Sequence, residues 1–273
     1  MAAVGWDPLF LERSAMFEPL RPAGLAFLKL SDWPTLDDCR RLLASKEITN
    51  AAGLPLRFVS QVSKSGKPEG KYEARIYLQG EVQVRNENWH DLFNVLVWLT
   101  FPKSKAALNR RHFLALEQMT SEGKQNRGPT QDALTLFDEG GVIVVCGDSR
   151  LAQLLVDFKW KELFWVNRDA VIAGMKFFLF GHAIYEKALQ PFTGVTGRGV
   201  IFPVVADFFA AALEQQLQLL DQKLAGYLNN PQHFNRTAEL PPIPILGVPG
   251  WNAENERAAY YENEAYFRVG RKT

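Results

Sequence analysis

Apolar residues occupy nearly every position of "WHDLFNVLVWLTF", residues 89–101, a pattern that predicts a helix buried on all sides. The spacing gives helices over 88–101 and 103–122, separated at Pro102 because a proline disfavours helical geometry in the residue before it. "TLDDCRRLLASK" opens on a cap-like Thr35 and reads as a short helix, and 207–228 has the amphipathic pattern of a longer one. Further helices are expected at about 149–158, 160–166 and 169–189, the last stopped by Pro191. Partial alternation in 54–62 and 72–84, around the turn-rich "SKSGKPEGK", predicts two strands and a hairpin. "ALTLFDEGGVIVVC", residues 133–146, reads as a second hairpin turning on its glycines. Residues 197–205, "GRGVIFPVV", form a strand in which Pro203 belongs at an edge or an end.

These elements predict a helix-rich α+β single domain with a small β-sheet, including the hairpin near 133–146. Residues 1–34 read as an N-terminal arm packed on the domain, 35–228 as the core, and 229–273 as an extended C-terminal tail packed on that core. The 273 residues are 47% hydrophobic and 22% charged, enough apolar surface for one large core. A net charge of +1 advertises neither nucleic acid nor an anionic membrane. Two cysteines, Cys39 and Cys146, read as reduced thiols of a cytoplasmic protein. The opening "MAAVGWDPLFLERSAMF" lacks the basic flank and unbroken apolar run of a signal peptide. "AVIAGMKFFLFGHAI", residues 170–184, is interrupted by Lys176 and His182 and falls short of the ~20 apolar residues of a spanning helix. It reads as a buried helix, so no membrane partner is expected.

The polar residues inside these apolar helices are the candidate chemistry. His90 and Asn94 are four apart and share a helix face, Asn109 and His112 do so on the next helix, and His182 and Glu186 repeat the pattern. Buried without partners, such groups cost about 1–3 kcal/mol each, so they must have partners, and three such pairs suggest convergence on a shared polar site. Two chemistries suit the set. A divalent metal ion would take His112, His182 and Glu186 as ligands, and His90 with Asn94, Asp132 and Arg127 would serve as catalytic groups. Arg127 beside Gly128 suits a carboxylate or phosphate. The spacing matches no established zinc motif, and a structural hydrogen-bond network is the bland reading of every pair. Asp91 reads as a helix-start carboxylate behind an Asn88 cap, and Asp138 and Glu139 as residues of the hairpin turn. Cys146 and the glycine-rich "TGVTGRG" are discounted as a buried thiol and a loop without the P-loop ending.

"NWHDLFNVLVWLTFPKSKAALNRRH", with "YEARIYLQGEV", "RGPTQDALTLFDE", "WKELFW", "FGHAIYEKAL", "LPPIPILGVPGW" and "YYENEAYFR", resembles a bacterial family catalogued as domain of unknown function 3025. The resemblance implies a cytosolic bacterial protein and brings no activity with it. All the candidate site residues fall inside those blocks, whereas Cys146 and His233 lie outside them.

The first functional reading is a metal-dependent or acid–base hydrolase acting on a small molecule, with the three imidazoles meeting at one place. The alternative is a non-catalytic binding or scaffold protein, with a structural polar cluster and a protein partner docking on the aromatic tail. Nucleic-acid binding ranks third: Lys103, Lys105, Arg110 and Arg111 form a local basic run, which more often is a solvated face.

Overall fold

The computed structural model describes residues 5–61, 72–123 and 126–270. The chain forms a helix-rich α+β domain in which short helices and 3₁₀ turns surround two small sheets. Its N-terminal stretch coils through 3₁₀ turns and Arg21–Gly24 (α1), burying Phe10, Phe17 and Phe27, before Leu36–Ala44 (α2). Thr35 starts α2 with a capping box closed by Asp38.

Arg57–Ser60 (β1) and Glu81–Val84 (β2) pair in parallel, with Tyr72–Gln79 (α3) between them. The sequence reading made 72–84 one strand of a hairpin, and the structure corrects this. Residues 72–79 are helical, and Gly80 ends the helix at φ +70°, where its N–H returns to the Ile76 carbonyl. Asn50 Nδ2 donates to the carbonyls of Ile76 and Tyr77, so the last turn of α3 is satisfied from outside. The expected turn at 63–71 lies outside the described residues.

Trp89–Thr100 (α4) and Pro102–Ser121 (α5) are separate helices, broken at Phe101 (φ −126°, ψ 57°) with Pro102 as the first residue of α5. Burial in α5 begins at Ser104, and the N–H groups of the helix start find their partner in another helix. Asp221 accepts from the main-chain N–H of Lys103 (3.0 Å) and of Ser104 (2.8 Å). Asp221 lies on Leu213–Asn229 (α11), which runs alongside α5.

The main sheet has the order β4–β3–β5–β6, with Gly141–Cys146 (β3), Met175–Leu179 (β4), Thr196–Pro203 (β5) and Pro242–Pro244 (β6). β3 pairs antiparallel with β4 and parallel with β5, whose other neighbour is the antiparallel β6. Pro203 closes β5, at a strand end as its chemistry requires.

Two expected elements are replaced around this sheet. Residues 129–140 form a helix (α6, Pro129–Gly140) that runs into β3, so there is no hairpin at 133–146. Pro129 sits at its first position, and the Gly128 N–H donates to Gln131 Oε1 at 3.2 Å. Ala133, Leu134, Phe137 and Asp138 are buried at helical spacing, which overrides the β-rich composition. The long helix expected at 169–189 is Arg168–Gly174 (α8), then β4, then His182–Ala188 (α9). "MKFFL" pairs with β3 and is buried almost throughout, and a strand covered on both faces has no alternation to distinguish it from a buried helix.

Ser149–Val156 (α7) follows β3, and residues 162–166 make a π turn. The expected helix at 207–228 is interrupted, with Asp207–Ala210 (α10) preceding α11. The C-terminal stretch is irregular chain punctuated by short 3₁₀ turns and the strand β6. Its aromatic residues face inward: Tyr266 Oη donates to the Val195 carbonyl and accepts from the Leu246 N–H, and Tyr261 Oη donates to the Gly247 carbonyl. No helix among the described residues is long and apolar enough to cross a membrane.

Candidate functional site

Three helices bring their polar ends together. His90 lies in the first turn of α4, His182 is the first residue of α9, and Asp138 and Glu139 are in the last turn of α6. Two hydrogen bonds to the Gly141 carbonyl, from the N–H groups of Phe180 and Gly181, fix the start of α9 against the end of α6. Glycine is required at 181, since a Cβ there would lie 2.5 Å from the Glu139 carbonyl. That close approach sets His182 beside Asp138 and Glu139.

His90 and His182 meet edge to face, their ring centroids 4.4 Å apart and their Nε2 atoms 3.0 Å apart. Glu139 Oε1 lies 3.6 Å from His182 Nε2. Ligand atoms of His90, Glu139 and His182 all fall within 4.8 Å of one another. The remote nitrogens also face carboxylates: His90 Nδ1 is 3.2 Å from Glu186 Oε2, and His182 Nδ1 is 3.7 Å from Asp138 Oδ2. Asp138 is buried and ion-paired with the equally buried Lys105.

Burial dominates the electrostatics. It drives the His182 pKa down to about 3, only partly opposed by Asp138, so this imidazole is neutral at ordinary pH. Burial also works to raise the Asp138 carboxyl, but Lys105 and His182 outweigh it and hold the group below the usual carboxylate range. Glu139 is raised by burial, with His90 pulling the other way. The last turn of a helix disfavours negative charge, and α6 puts two carboxylates there, so the arrangement calls for nearby positive charge. The cluster opens outward: the Glu139 and His90 side chains are 44% and 30% exposed, against 6% for His182.

The structure brings together only part of the set read from sequence. His90, His182 and Glu186 meet, but Glu186 contacts His90 rather than standing with His182 as a ligand. The carboxylate that converges with the two imidazoles is that of Glu139. His112 is buried near Asp138, yet it is outside the group of converging ligand atoms. Asn94 donates to Tyr72 Oη at 2.6 Å, and Asn109 donates to the Glu73 carbonyl and carboxylate. The Oδ1 atoms of both asparagines are buried without a hydrogen bond among the described residues. Asp132 and Arg127 are exposed at the far end of α6 and do not reach the cluster. Asn88 caps α4 as expected, accepting from the Asp91 N–H, and the Asp91 carboxylate in the first turn accepts from Arg85 with both oxygens. Lys105, Asp138 and Glu139 were missed as site residues. The start signal "GPTQ" before α6 would have placed both carboxylates at a helix end instead of in a turn.

A model of the family described as protein of unknown function DUF3025 matches residues 56–271. The chain belongs to that family. All the cluster residues of this DUF3025 protein lie within the matched span. No curated protein and no solved structure matches the chain.

Proposed function

We propose that this DUF3025 protein is a metal-dependent hydrolase whose divalent ion is held by His90, His182 and Glu139. One observation carries the reading. Each imidazole turns its Nδ1 toward a carboxylate, which favours a proton on that nitrogen and leaves the two Nε2 lone pairs facing each other and Glu139. Three acceptors converging in this way repel one another unless a cation lies among them. Zinc bonds of about 2.0–2.1 Å at tetrahedral angles separate neighbouring ligand atoms by about 3.3 Å. The 3.0 and 3.6 Å separations about His182 bracket that value, and the His90–Glu139 pair lies within 4.8 Å.

Two histidines and one carboxylate are a donor set of catalytic zinc sites, which keep a fourth position for water or substrate. Bound there, the ion would supply Lewis acidity and a water made acidic enough to yield hydroxide near neutral pH. The protein's own contributions are distinct: Glu186 orients His90, and burial keeps His182 neutral and so able to bind. The exposed edges of His90 and Glu139 leave a side for substrate to approach.

Some features behind the other readings are engaged within the domain. Within the basic run, Lys105 is buried against Asp138, and Arg111 is spent on the carbonyls of Leu228 and His233. The tail aromatics Tyr261, Tyr266 and Phe267 are buried in their own domain. A specific alternative remains in the direct Nε2–Nε2 contact, where a shared proton would also join the two lone pairs and make an acid–base pair.

Elemental analysis of the full, untagged chain decides between ion and proton. The expected result is near-stoichiometric zinc, lost in His90→Ala and in Glu139→Ala while both variants stay folded. No ion in the wild-type chain, even after incubation with zinc, manganese or iron, would overturn the metal reading in favour of the acid–base pair.

A further inference from the structure

The outer ends of the two imidazoles are held differently. His90 Nδ1 meets Glu186, a carboxylate about half exposed to solvent. His182 Nδ1 is buried, makes no hydrogen bond among the described residues, and has Asp138 Oδ2 3.7 Å away. The other oxygen of Asp138 accepts from Lys105 Nζ, which also lies 5.6 Å from the centre of the Trp98 ring. Lys105, Asp138 and His182 are all buried, so the ion pair is shielded from bulk water. A buried pair of this kind is a poor stabiliser, since well-packed apolar residues generally serve as well or better. Its place directly behind an imidazole gives it another use.

We infer that the Lys105–Asp138 pair is a positioning device for His182: the carboxylate draws the imidazole proton to Nδ1 and leaves the Nε2 lone pair turned toward His90 and Glu139. Lys105 supplies the charge that lets a carboxylate persist in the interior, and Asp138 uses it to select the tautomer. The purpose rests on the metal reading, but the tautomer exists with or without an ion. The main-chain carbonyl of Asp138 also acts on His182, so the test must separate side chain from backbone.

The experiment uses the full chain stripped with a chelator and labelled with ¹⁵N-histidine, so that NMR reports which ring nitrogen carries the proton. In the wild-type chain His182 is expected to show a protonated Nδ1 and a bare Nε2. Lys105→Met with Asp138→Leu removes both charges and the acceptor without stranding an ion. It should move the proton to Nε2 and weaken cobalt(II) binding by roughly 10- to 100-fold. Lys105→Met with Asp138→Asn keeps an acceptor oxygen, and should keep the Nδ1 proton and recover part of the affinity. A wild-type His182 protonated on Nε2 overturns the inference, whatever the variants do. A Nδ1 proton that persists in the leucine variant also overturns it, by giving the role to the backbone carbonyl. A wild-type chain with the Nδ1 proton but no affinity for cobalt supports the tautomer selection while removing the metal reading.

Discussion

Two buried aspartates serve helix α5, and they are satisfied in opposite ways. Asp221 accepts from the N–H groups at the helix start, donors fixed by the fold that never change charge. Asp138 faces Lys105, the next residue of the same helix start, with His182 beside it, and both of those partners are titratable side chains. Burial pushes the Asp221 carboxyl up, whereas the Lys105 ammonium holds Asp138 down against the same effect. The contrast separates a carboxylate used to end a helix from one used to tune a neighbour. It also locates the site more sharply than burial does, since both groups are almost inaccessible.

The comparison breaks most visibly at Asp138. Asp138→Ala strands the Lys105 ammonium in the interior and should cost about 3–5 kcal/mol, read by chemical denaturation. Asp221→Ala removes a helix cap but strands no charge, so a loss nearer about 2 kcal/mol is expected, with any ion binding retained by the folded protein. Equal losses would erase the distinction. Glu139→Gln should run the other way. Removing a negative charge from the last turn of α6 is expected to stabilise the apo-protein by up to about 0.5 kcal/mol while abolishing ion binding. A destabilised variant would mean that Glu139 serves the fold.

The smallest effect belongs to a buried group that, like Asp221, has a main-chain partner. Tyr261 donates to the Gly247 carbonyl, and burial raises its pKa from 10.0 to about 12. The unfolded chain therefore releases this proton first, so the stabilisation is complete below pH 10 and drains away as pH rises through about 12. Ultraviolet titration of tyrosinate should show a late-ionising group, and near-ultraviolet circular dichroism a loosening of the tail over the same interval.

What was legible in the sequence was local. The Asn88 cap, the break at Pro102 and the all-apolar α4 depend on signals within a few residues, and each is where it was expected. The failures came where two local signals competed. "DEGG" has the composition of a turn, yet it is where α6 gives way to β3, and misplacing it hid Asp138 and Glu139 from the site. "MKFFL" reads as helix because its strand partner is β3, some thirty residues back in the chain, and no short window contains both. His90 and His182 stood out as polar residues in apolar surroundings. That Glu186 would serve His90 rather than its own helix neighbour depends on how α9 meets α4, which is a property of packing.

The three converging side chains come from helices that begin at residues 89, 129 and 182, and they hold no segment of sequence in common. An ion seated among them would therefore act as a removable cross-link, closing two long loops that exist only while the helices are docked. Resistance to unfolding would then follow the free concentration of the ion, rising by about 2.7 kcal/mol when that concentration reaches a hundred times the dissociation constant. Heat-denaturation curves taken across a metal titration would thus weigh the strength of this clasp with no substrate in hand.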